Sequence, residues 1–252
     1  MATSVAPSLP GRPAPLGATP HAGGVNFSVY ARGARQLELL LYEHADDAAP
    51  ARVIPLAAAR HRTYHYWHVF VPGLRPGQLY AWRADGPFAP ARGMRFKPTQ
   101  PLLDPYGRAV AMPAGYQRGN DALACKSVVV DVARYDWEGD APLRRPFTQT
   151  VIYEMHVGGF TRHPNSGLAP ARRGTYAGLI EKIPYLRELG ITAVELLPVF
   201  QFDPQDAPPG LSNYWGYAPM SFFAPHTGYA TRPGEPLTVL DEFRDMVKAL
   251  HR

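Results

Sequence analysis

Residues 151–197 carry the clearest structural signal in the chain, and they read VIYEMHVGGFTRHPNSGLAPARRGTYAGLIEKIPYLRELGITAVELL. Short, mostly apolar runs stand at both ends of this stretch, at 151–156 and 191–197, and such runs are typical of buried strands. Between them, residues 174–190 place apolar side chains at the spacing of one helix face. The order strand, helix, strand predicts a unit of parallel β-sheet.

The helical segment has recognisable ends and one interruption. Thr175 is a typical N-cap, Gly190 is a typical stop, and Pro184 inside the pattern should kink the helix or split it in two. Beyond the second strand lies a long loop at 199–236, rich in aromatic residues and proline, and then another helical pattern at 237–252. Two parallel strands with their helices cannot bury both faces of a sheet, so we expect this domain to continue beyond the chain.

The N-terminal half has a different periodicity. Between residues 24 and 84, apolar and polar residues alternate in several short runs that turn signals separate. Short strands at this spacing predict an immunoglobulin-like β-sandwich. We therefore divide the chain into a flexible leader (1–18), the sandwich (19–115), a connector (116–148) and the start of the α/β domain (149–252).

Composition excludes several classes of protein. The formal net charge of the 252 residues is +5, but the basic residues are scattered, which argues against nucleic acid as a partner. No apolar stretch approaches the ~18 residues of a membrane span, so no membrane partner is expected. Cys125 is the only cysteine and cannot form an internal disulfide, which favours a cytoplasmic location. The sequence leaves the oligomeric state open.

Five segments, taken in order, are specific enough to indicate a family. In the N-terminal half they are GGVNFSVYARGARQLELLLYE (23–43) and LYAWRADGPFAPARGMRFKPTQPLLDPYGRAV (79–110). In the C-terminal half they are VIYEMHVGGFT (151–161), GTYAGLIEKIPYLRELGITAVELLPV (174–199) and NYWGYAPMSFFAPHTGYA (213–230). Together they resemble the start of glycogen debranching enzymes and isoamylases in the α-amylase family. The resemblance implies a β-sandwich of the glycogen-binding type, followed by the first βα units of a truncated TIM (β/α)8 barrel.

The resemblance also implies an activity. It is the hydrolysis of α-1,6-glucosidic branch linkages in glycogen or limit dextrins, by retaining double displacement between two carboxyl groups. The family carries these carboxylates at the ends of later barrel strands, so we expect them beyond Arg252 and assign no catalytic residue within the chain. The chain alone is therefore expected to be inactive. Its expected partner is an α-glucan, and no cofactor or metal is expected.

Candidate substrate-binding residues come from one loop and one strand end. Tyr217 matches the tyrosine that stacks on the sugar in the family, where an aromatic ring offers a flat apolar face to the pyranose. Asn213, Trp215 and His156 are expected to shape the same floor. For Trp215 and His156 the alternative role is packing or orienting the loop, and the sequence favours that alternative.

Four further residues invite a functional interpretation. Glu154 and Glu195 lie inside the two predicted strands and not at their ends, so we expect structural carboxylates, buried or at an edge, and not catalytic ones. Trp67 and Trp82 are possible sugar contacts on the sandwich, although many such modules act mainly as packing partners for the barrel.

Three other functions compete with debranching. Maltooligosyl trehalose trehalohydrolase and glycogen branching enzyme share this layout, but PLLDPYGRAV (101–110) and PVFQFDPQDAPPG (198–210) favour debranching over both. The third alternative is a non-catalytic, glucan-binding fragment. Because the loop at 198–217 varies with branch specificity in the family, the preferred branch length stays open.

Overall fold

The computed structural model describes residues 8–252, which form two compact units. The first unit runs to Val132 and also includes Ser221–Phe223, and the second comprises Ala133–Met220 and Ala224–Arg252. Residues 1–7 of the predicted leader lie outside the described part of the chain. Among the described residues, no helix is long and apolar enough to cross a membrane.

The first unit is built from short strands in two main sheets. Its elements are β1 (Gly17–His21), β2 (Gly24–Tyr30), β3 (Gln36–Tyr42), β4 (Arg52–Leu56), α1 (Ala58–His61), β5 (Arg62–Thr63), β6 (Tyr66–Pro72), β7 (Leu79–Asp85), β8 (Phe88–Ala89), β9 (Met94–Arg95), β10 (Val110–Ala111) and β11 (Lys126–Val128). One sheet has the strand order β1-β2-β6-β5, the other has the order β10-β11-β7-β3-β4, and β8 pairs with β9. This is the sandwich that the alternating pattern predicts.

Alternation along the strands places one face of each sheet in a common core. In β2, Val25, Phe27 and Val29 are buried together, as the period of two requires. Trp67 and Trp82 are also buried in this core, so neither ring offers a face to solvent. The surface sugar contact considered for these two tryptophans is therefore wrong.

A buried carboxylate joins the sandwich strands to the segment that follows them. Oδ2 of Asp104 accepts hydrogen bonds from the Tyr80 hydroxyl (3.0 Å) and from Nε1 of Trp82 (3.1 Å). Oδ1 accepts from the backbone N–H of Tyr106 at 2.8 Å, and the N–H of Asp104 itself donates to Oγ of Ser127 at 2.9 Å. Burial raises the pKa of the Asp104 carboxyl above its usual range. The buried carboxylate therefore depends on these hydrogen-bond donors for its stabilisation.

The structure differs from the predicted flexible leader over residues 8–18. The backbones of Leu9 and Phe70 exchange two hydrogen bonds, of 2.8 and 2.9 Å. The Asn26 side chain accepts from the N–H of Arg12 (2.7 Å) and donates to its carbonyl (3.0 Å). β1 then begins at Gly17. Backbone N–H and C=O groups of this segment therefore form hydrogen bonds with the sandwich. The proline-rich sequence did not reveal this ordered contact.

The structure also divides the predicted connector, 116–148, between the two units. β11 lies inside it and pairs with β7 and β10, which extends the sandwich beyond residue 115. The remainder, from Ala133, belongs to the second unit, where the Tyr135 hydroxyl donates to Oδ1 of Asp245 at 2.6 Å. Side-chain pairing with distant residues, and not local periodicity, orders this segment.

The second unit contains the predicted βα pattern. Its elements are β12 (Ile152–Met155), α2 (Val157–Arg162), α3 (Tyr176–Glu181), α4 (Ile183–Glu188), β13 (Ala193–Leu196), β14 (Phe200–Phe202), β15 (Pro219–Pro225, of which Ser221–Phe223 belong to the first unit) and α5 (Pro236–His251). β12 and β13 are parallel, as predicted. One face of this pair packs on the helices, since Met155 is buried in the same cluster as Leu179, Leu186 and Met246.

Local signals set the ends of the helices between these two strands. Oγ1 of Thr175 accepts from the N–H of Gly178 at 3.0 Å, which caps α3. The helix breaks at Lys182, and α4 begins with Pro184 in its first turn. Gly190 has a φ of 82°, in the left-handed region. The predicted N-cap, split and stop are all confirmed.

The segment predicted as a long loop, 199–236, contains regular structure. β14 and β15 pair as a two-stranded sheet, and the N–H of Asp203 donates to the carbonyl of Ala218 at 3.2 Å where they separate. The prediction of a loop over the whole segment is wrong, because its proline and glycine content concealed two short strands.

We expect Asp104→Asn to lower the free energy of unfolding of the first unit by about 2 to 3 kcal/mol. An amide has one acceptor oxygen, so in either orientation its NH2 group faces a buried donor that the carboxylate now satisfies. Urea denaturation measures the change. Asp241→Asn, at an exposed carboxylate, is the control, and we expect it to change stability by less than about 0.5 kcal/mol. Equal effects of the two changes would contradict this role of Asp104.

Candidate functional site

The candidate site begins where the two parallel strands end. β12 and β13 pair in register, with Tyr153 opposite Val194 and Met155 opposite Leu196. Their carboxyl ends therefore lie at the same edge, and the N–H of Leu197 donates to the carbonyl of Met155 at 2.9 Å there. In parallel α/β structures, ligands bind at this edge.

His156 follows β12 directly and fixes the aromatic loop to it. Its Nδ1 accepts from the N–H of Gly159 at 2.9 Å, which caps α2. The neutral ring therefore carries its proton on Nε2 and donates it to the Tyr214 carbonyl, 2.7 Å away. The rings of His156 and Tyr214 also stack, 4.2 Å apart and 4° from parallel. His156 is buried and acts by positioning Tyr214.

Asn213 and Gly216 shape the turn that presents the aromatic side chains. Oδ1 of Asn213 accepts from the N–H of Gly216 at 3.0 Å, and its Nδ2 donates to the carbonyl of Asp203 at 3.2 Å. Gly216 has a φ of 82°, and a Cβ there would lie 2.8 Å from the Phe202 ring. The turn therefore requires glycine at 216. Both the oxygen and the nitrogen of the Asn213 amide form hydrogen bonds within the loop.

Trp215 and Tyr217 present the exposed rings of this turn. Their relative exposures are 58% and 69%. The Tyr214 ring meets Trp215 edge to face, with 5.5 Å between centroids. Of the four predicted contact residues, the structure therefore brings Trp215 and Tyr217 to solvent and uses His156 and Asn213 to hold them. Whether the two rings contact substrate stays a prediction.

A floor of buried aromatic residues lies beneath the turn. The Tyr229 hydroxyl lies 3.0 Å from Nε2 of His156, and burial raises the pKa of Tyr229 to about 12. The His226 ring stacks on Phe202, 3.7 Å between centroids. The Tyr176 hydroxyl donates to the His226 carbonyl at 3.0 Å. These rings fill the space between the strand ends and α3.

Burial also keeps the imidazole of His226 neutral. Desolvation, with a smaller contribution from His156, lowers the pKa of His226 from 6.5 to about 4. Within residues 8–252, Nδ1 of His226 has no hydrogen-bond partner. The floor therefore carries no positive charge from His226 at neutral pH.

Sequence reasoning missed most of this floor. His226 and Tyr229 both lie inside the segment 213–230 that carried the resemblance, yet neither was singled out. Phe202 lies in the segment predicted as loop. The available signal was the density of aromatic residues and histidines. It does not tell which rings are buried and which are exposed.

Of the two positions predicted for the strand carboxylates, buried or at an edge, the structure excludes the buried one, and both strands of this two-stranded sheet are edges. Glu154 and Glu195 lie opposite each other in the register of β12 and β13, and both are exposed, not buried. They occupy the sheet face opposite the helices, one residue before each strand ends. Among residues 8–252, no group of three or more His, Cys, Asp or Glu side chains is arranged to hold a metal ion.

Two families match successive parts of the chain. Residues 15–107 match carbohydrate-binding module 48, the isoamylase N-terminal domain, and residues 120–232 match the alpha amylase catalytic domain. The predicted fold class is thereby confirmed: a β-sandwich of the module 48 type precedes part of an α-amylase catalytic domain.

Solved structures of similar fold are several times longer than this chain. The chain resembles the pullulanase from Paenibacillus barengoltzii in complex with maltohexaose and alpha-cyclodextrin, with 26% identity and a TM-score of 0.74, over 94% of this chain and 36% of that one. It shares its fold with the product complex of SpuA, a multi-modular glycogen-degrading pneumococcal virulence factor (23% identity, TM-score 0.74, 96% of this chain and 26% of that one). It also shares its fold with the Group B Streptococcus pullulanase SAP (22% identity, TM-score 0.72, 94% and 32%).

The depressed pKa of His226 predicts a loss of stability in acid. Between pH 6.5 and about pH 4, the His226 side chain is protonated in the unfolded state but stays neutral in the folded state. The free energy of unfolding therefore falls as the pH falls through that window. We expect His226→Phe, which keeps a ring on Phe202, to remove about 2.5 kcal/mol of the loss between pH 7.5 and 4.5.

Urea denaturation at several pH values measures this difference. His44→Phe is the control, because the His44 side chain is largely exposed, and we expect the wild-type dependence on pH to persist in it. If His226→Phe and wild type lose stability in parallel, a buried neutral His226 is contradicted.

Proposed function

We propose that this chain is the N-terminal part of a glycoside hydrolase that cleaves α-1,6-glucosidic branch linkages in glycogen or limit dextrins. The observation that carries the proposal is the exposed Trp215–Tyr217 turn, held at the carboxyl ends of β12 and β13 by His156. The order of the two matched families supports it. So does the similarity to a pullulanase, of which the chain spans about a third.

The proposed role of the turn is to bind one sugar ring through its apolar face. Tyr217 stacks on the pyranose, because its ring is the more exposed of the two and its hydroxyl can reach the sugar hydroxyls. Trp215 provides a second wall. His156 and Asn213 are positioning residues, since their polar atoms already bind the loop. The neutral side chains of His226 and Tyr229 beneath the turn suit a neutral substrate.

The proposed chemistry is double displacement with retention of configuration. Glu154 and Glu195 are not its carboxyl pair, because they lie side by side within the strands, and catalytic groups of barrel enzymes lie at the strand ends. The nucleophile and the acid are therefore proposed to come from residues outside this chain. The chain alone is proposed to bind α-glucan without cleaving it.

Three subsidiary proposals accompany this function. No organic cofactor is required, because the two carboxyl groups suffice for the reaction. The partner is an α-glucan and neither nucleic acid nor membrane. The proposed location is the cytoplasm, for which the support is that Cys125 is the single cysteine of the sequence and so cannot form an internal disulfide.

We expect Tyr217→Ala, in the second unit, to lower the affinity of the 252-residue chain for a branched limit dextrin about tenfold. Isothermal titration calorimetry measures the affinity. Tyr185→Ala, at a tyrosine on α4 that is 50% exposed, is the control and should bind as wild type does. An unchanged affinity of the Tyr217 variant would contradict the sugar contact.

Product analysis separates debranching from its competitors. The protein that contains this chain at full length should release linear maltooligosaccharides from limit dextrin, whereas the 252-residue chain should release no reducing sugar. Release of trehalose from trehalose-capped chains, or transfer of chains without net hydrolysis, would identify one of the two alternative enzymes. Reducing sugar released by the purified 252-residue chain would contradict the proposed location of the catalytic carboxylates.

A further inference from the structure

A turn rich in acidic residues lies against the C-terminal end of α5, within the second unit. The turn comprises residues 136–140, which read DWEGD, and we call it the acidic turn. The last turn of α5 carries Lys248 and His251, and Arg252 follows directly. Basic residues suit the C-terminal end of a helix, where the helix dipole is negative. Surfaces of opposite charge therefore meet at this contact.

Glu138 is the centre of the contact. Nζ of Lys248 donates to its Oε1 at 2.7 Å, and the Arg252 guanidinium donates to its Oε2. Nζ of Lys248 also donates to the carbonyl of Asp136 at 3.1 Å. The hydrogen bond from Lys248 is the main cause that lowers the pKa of Glu138, and the same bond raises the pKa of Lys248. The contact therefore favours the charged form of both side chains.

Side chains on either side of Glu138 add to the contact. Nδ1 of His251 lies 2.8 Å from Oδ2 of Asp140, at the end of the acidic turn. Just before the turn, the Tyr135 hydroxyl donates to Oδ1 of Asp245 at 2.6 Å. The ammonium of Lys248 lies 4.9 Å from the centre of the Tyr135 ring, within the range of a cation–π contact. The acidic turn is thus held to α5 along its whole length.

The backbone at Glu138 has a conformation that usually selects other residues. The N–H of Asp140 donates to the carbonyl of Trp137 at 2.9 Å, which closes a β-turn. Its two central residues, Glu138 and Gly139, have φ values of 53° and 76°. Turns with two positive φ values favour asparagine or glycine at the first central position. A glutamate at this position points to a role for its carboxylate.

An exposed segment, residues 141–150, connects the acidic turn to β12, and we call it the strap. Residues 141–149 are all exposed. Arg144 has a φ of 50°, in the left-handed region that non-glycine residues rarely adopt. Segments with much exposed backbone and few buried contacts open locally at a low cost in free energy. The contact at Glu138 is therefore well placed to decide whether the strap stays closed.

The strap covers one side of an apolar cavity of about 560 Å³. Pro142 and Leu143 line it together with side chains of α4, β13 and α5. Thr150 and Thr192 line it too, and they lie just before the amino ends of β12 and β13. The cavity therefore lies away from the carboxyl ends of these strands, where the aromatic turn with Tyr217 is held. Opening of the strap would expose the cavity without moving that turn.

We propose that the acidic turn and the end of α5 form an ionic clasp, which keeps the strap closed over the cavity and releases it before the rest of the second unit unfolds. The clasp is sensitive to salt, because Glu138 and Arg252 are both exposed. The screening length between exposed charges falls from ~10 Å at ~0.1 M salt to ~3 Å at ~1 M. The inference is independent of the substrate proposed for the aromatic turn.

Trypsin cleavage after Arg144 in the 252-residue chain measures opening of the strap, because the protease cuts the open form. We expect Glu138→Gln, which keeps the shape and removes the charge, to be cleaved about tenfold faster than wild type at ~0.1 M NaCl. At ~1 M NaCl, wild type should be cleaved about tenfold faster than at ~0.1 M, and the variant less than about threefold faster. A peptide of residues 141–150 reports the effect of salt on the protease itself.

Glu138→Asn distinguishes the clasp from the turn alone. Asn-Gly is the pair that such turns favour, so this variant suits the backbone better but lacks the carboxylate. The clasp predicts faster cleavage of this variant at low salt, whereas a role in turn geometry alone predicts slower cleavage. Glu181→Gln is the matched control, because Glu181 pairs with Arg172 in the same unit and is 44% exposed against 50% for Glu138. It should be cleaved as wild type is.

Several results would overturn the clasp. It is overturned if Glu138→Gln is cleaved at the wild-type rate, if salt accelerates wild type no more than the peptide, or if Glu138→Asn is cleaved more slowly. Equal acceleration by Glu181→Gln would also overturn it, since a general loss of stability would then explain the cleavage. Circular dichroism should show wild-type helix content in both Glu138 variants, and a loss of helix would overturn local opening. None of these results bears on the sugar contact of Tyr217, which is judged from limit dextrin affinity.

Discussion

Four residue pairs join β12 to β13 in parallel register, and the position of the candidate site follows from where that pairing ends. Parallel strands finish at the same edge, so the residues after Met155 and after Leu196 meet there. His156 is the first residue beyond β12. One ring nitrogen of His156 caps α2 and the other binds the Tyr214 carbonyl. This single side chain therefore fixes the position of the aromatic turn relative to the end of β12.

Different residues of the site hold the turn and present rings to solvent. His156, His226 and Tyr229 are buried, and their polar atoms and ring faces hold the turn from below. Trp215 and Tyr217 project above it. Burial lowers the pKa of His226 and raises the pKa of Tyr229, so both side chains are neutral at neutral pH. Neutral His226 and Tyr229 side chains beneath exposed rings are consistent with the neutral sugar that we propose as the ligand.

The first unit uses the same arrangement in a different fold. Asp104 is buried, accepts donors from two core aromatic residues, and fixes the backbone of Tyr106 at the surface. The core of the sandwich and the exposed residue Tyr106 therefore share one carboxylate. A buried side chain fixes the backbone of an exposed aromatic residue here, as His156 does for Tyr214 in the second unit.

Local signals were sufficient for the order strand, helix, strand at 151–197, the split at Pro184 and the segment that contains Tyr217, because capping, proline geometry and periodicity act over a few residues. The segment at 8–18, the strand β11, the pair β14–β15 and the exposure of Glu154 depend on partners far along the chain. Tyr66 and Trp67 show why: both are aromatic neighbours on β6, and alternation alone does not say which faces the core. Packing against the second sheet buried Trp67 and left Tyr66 to line a cleft.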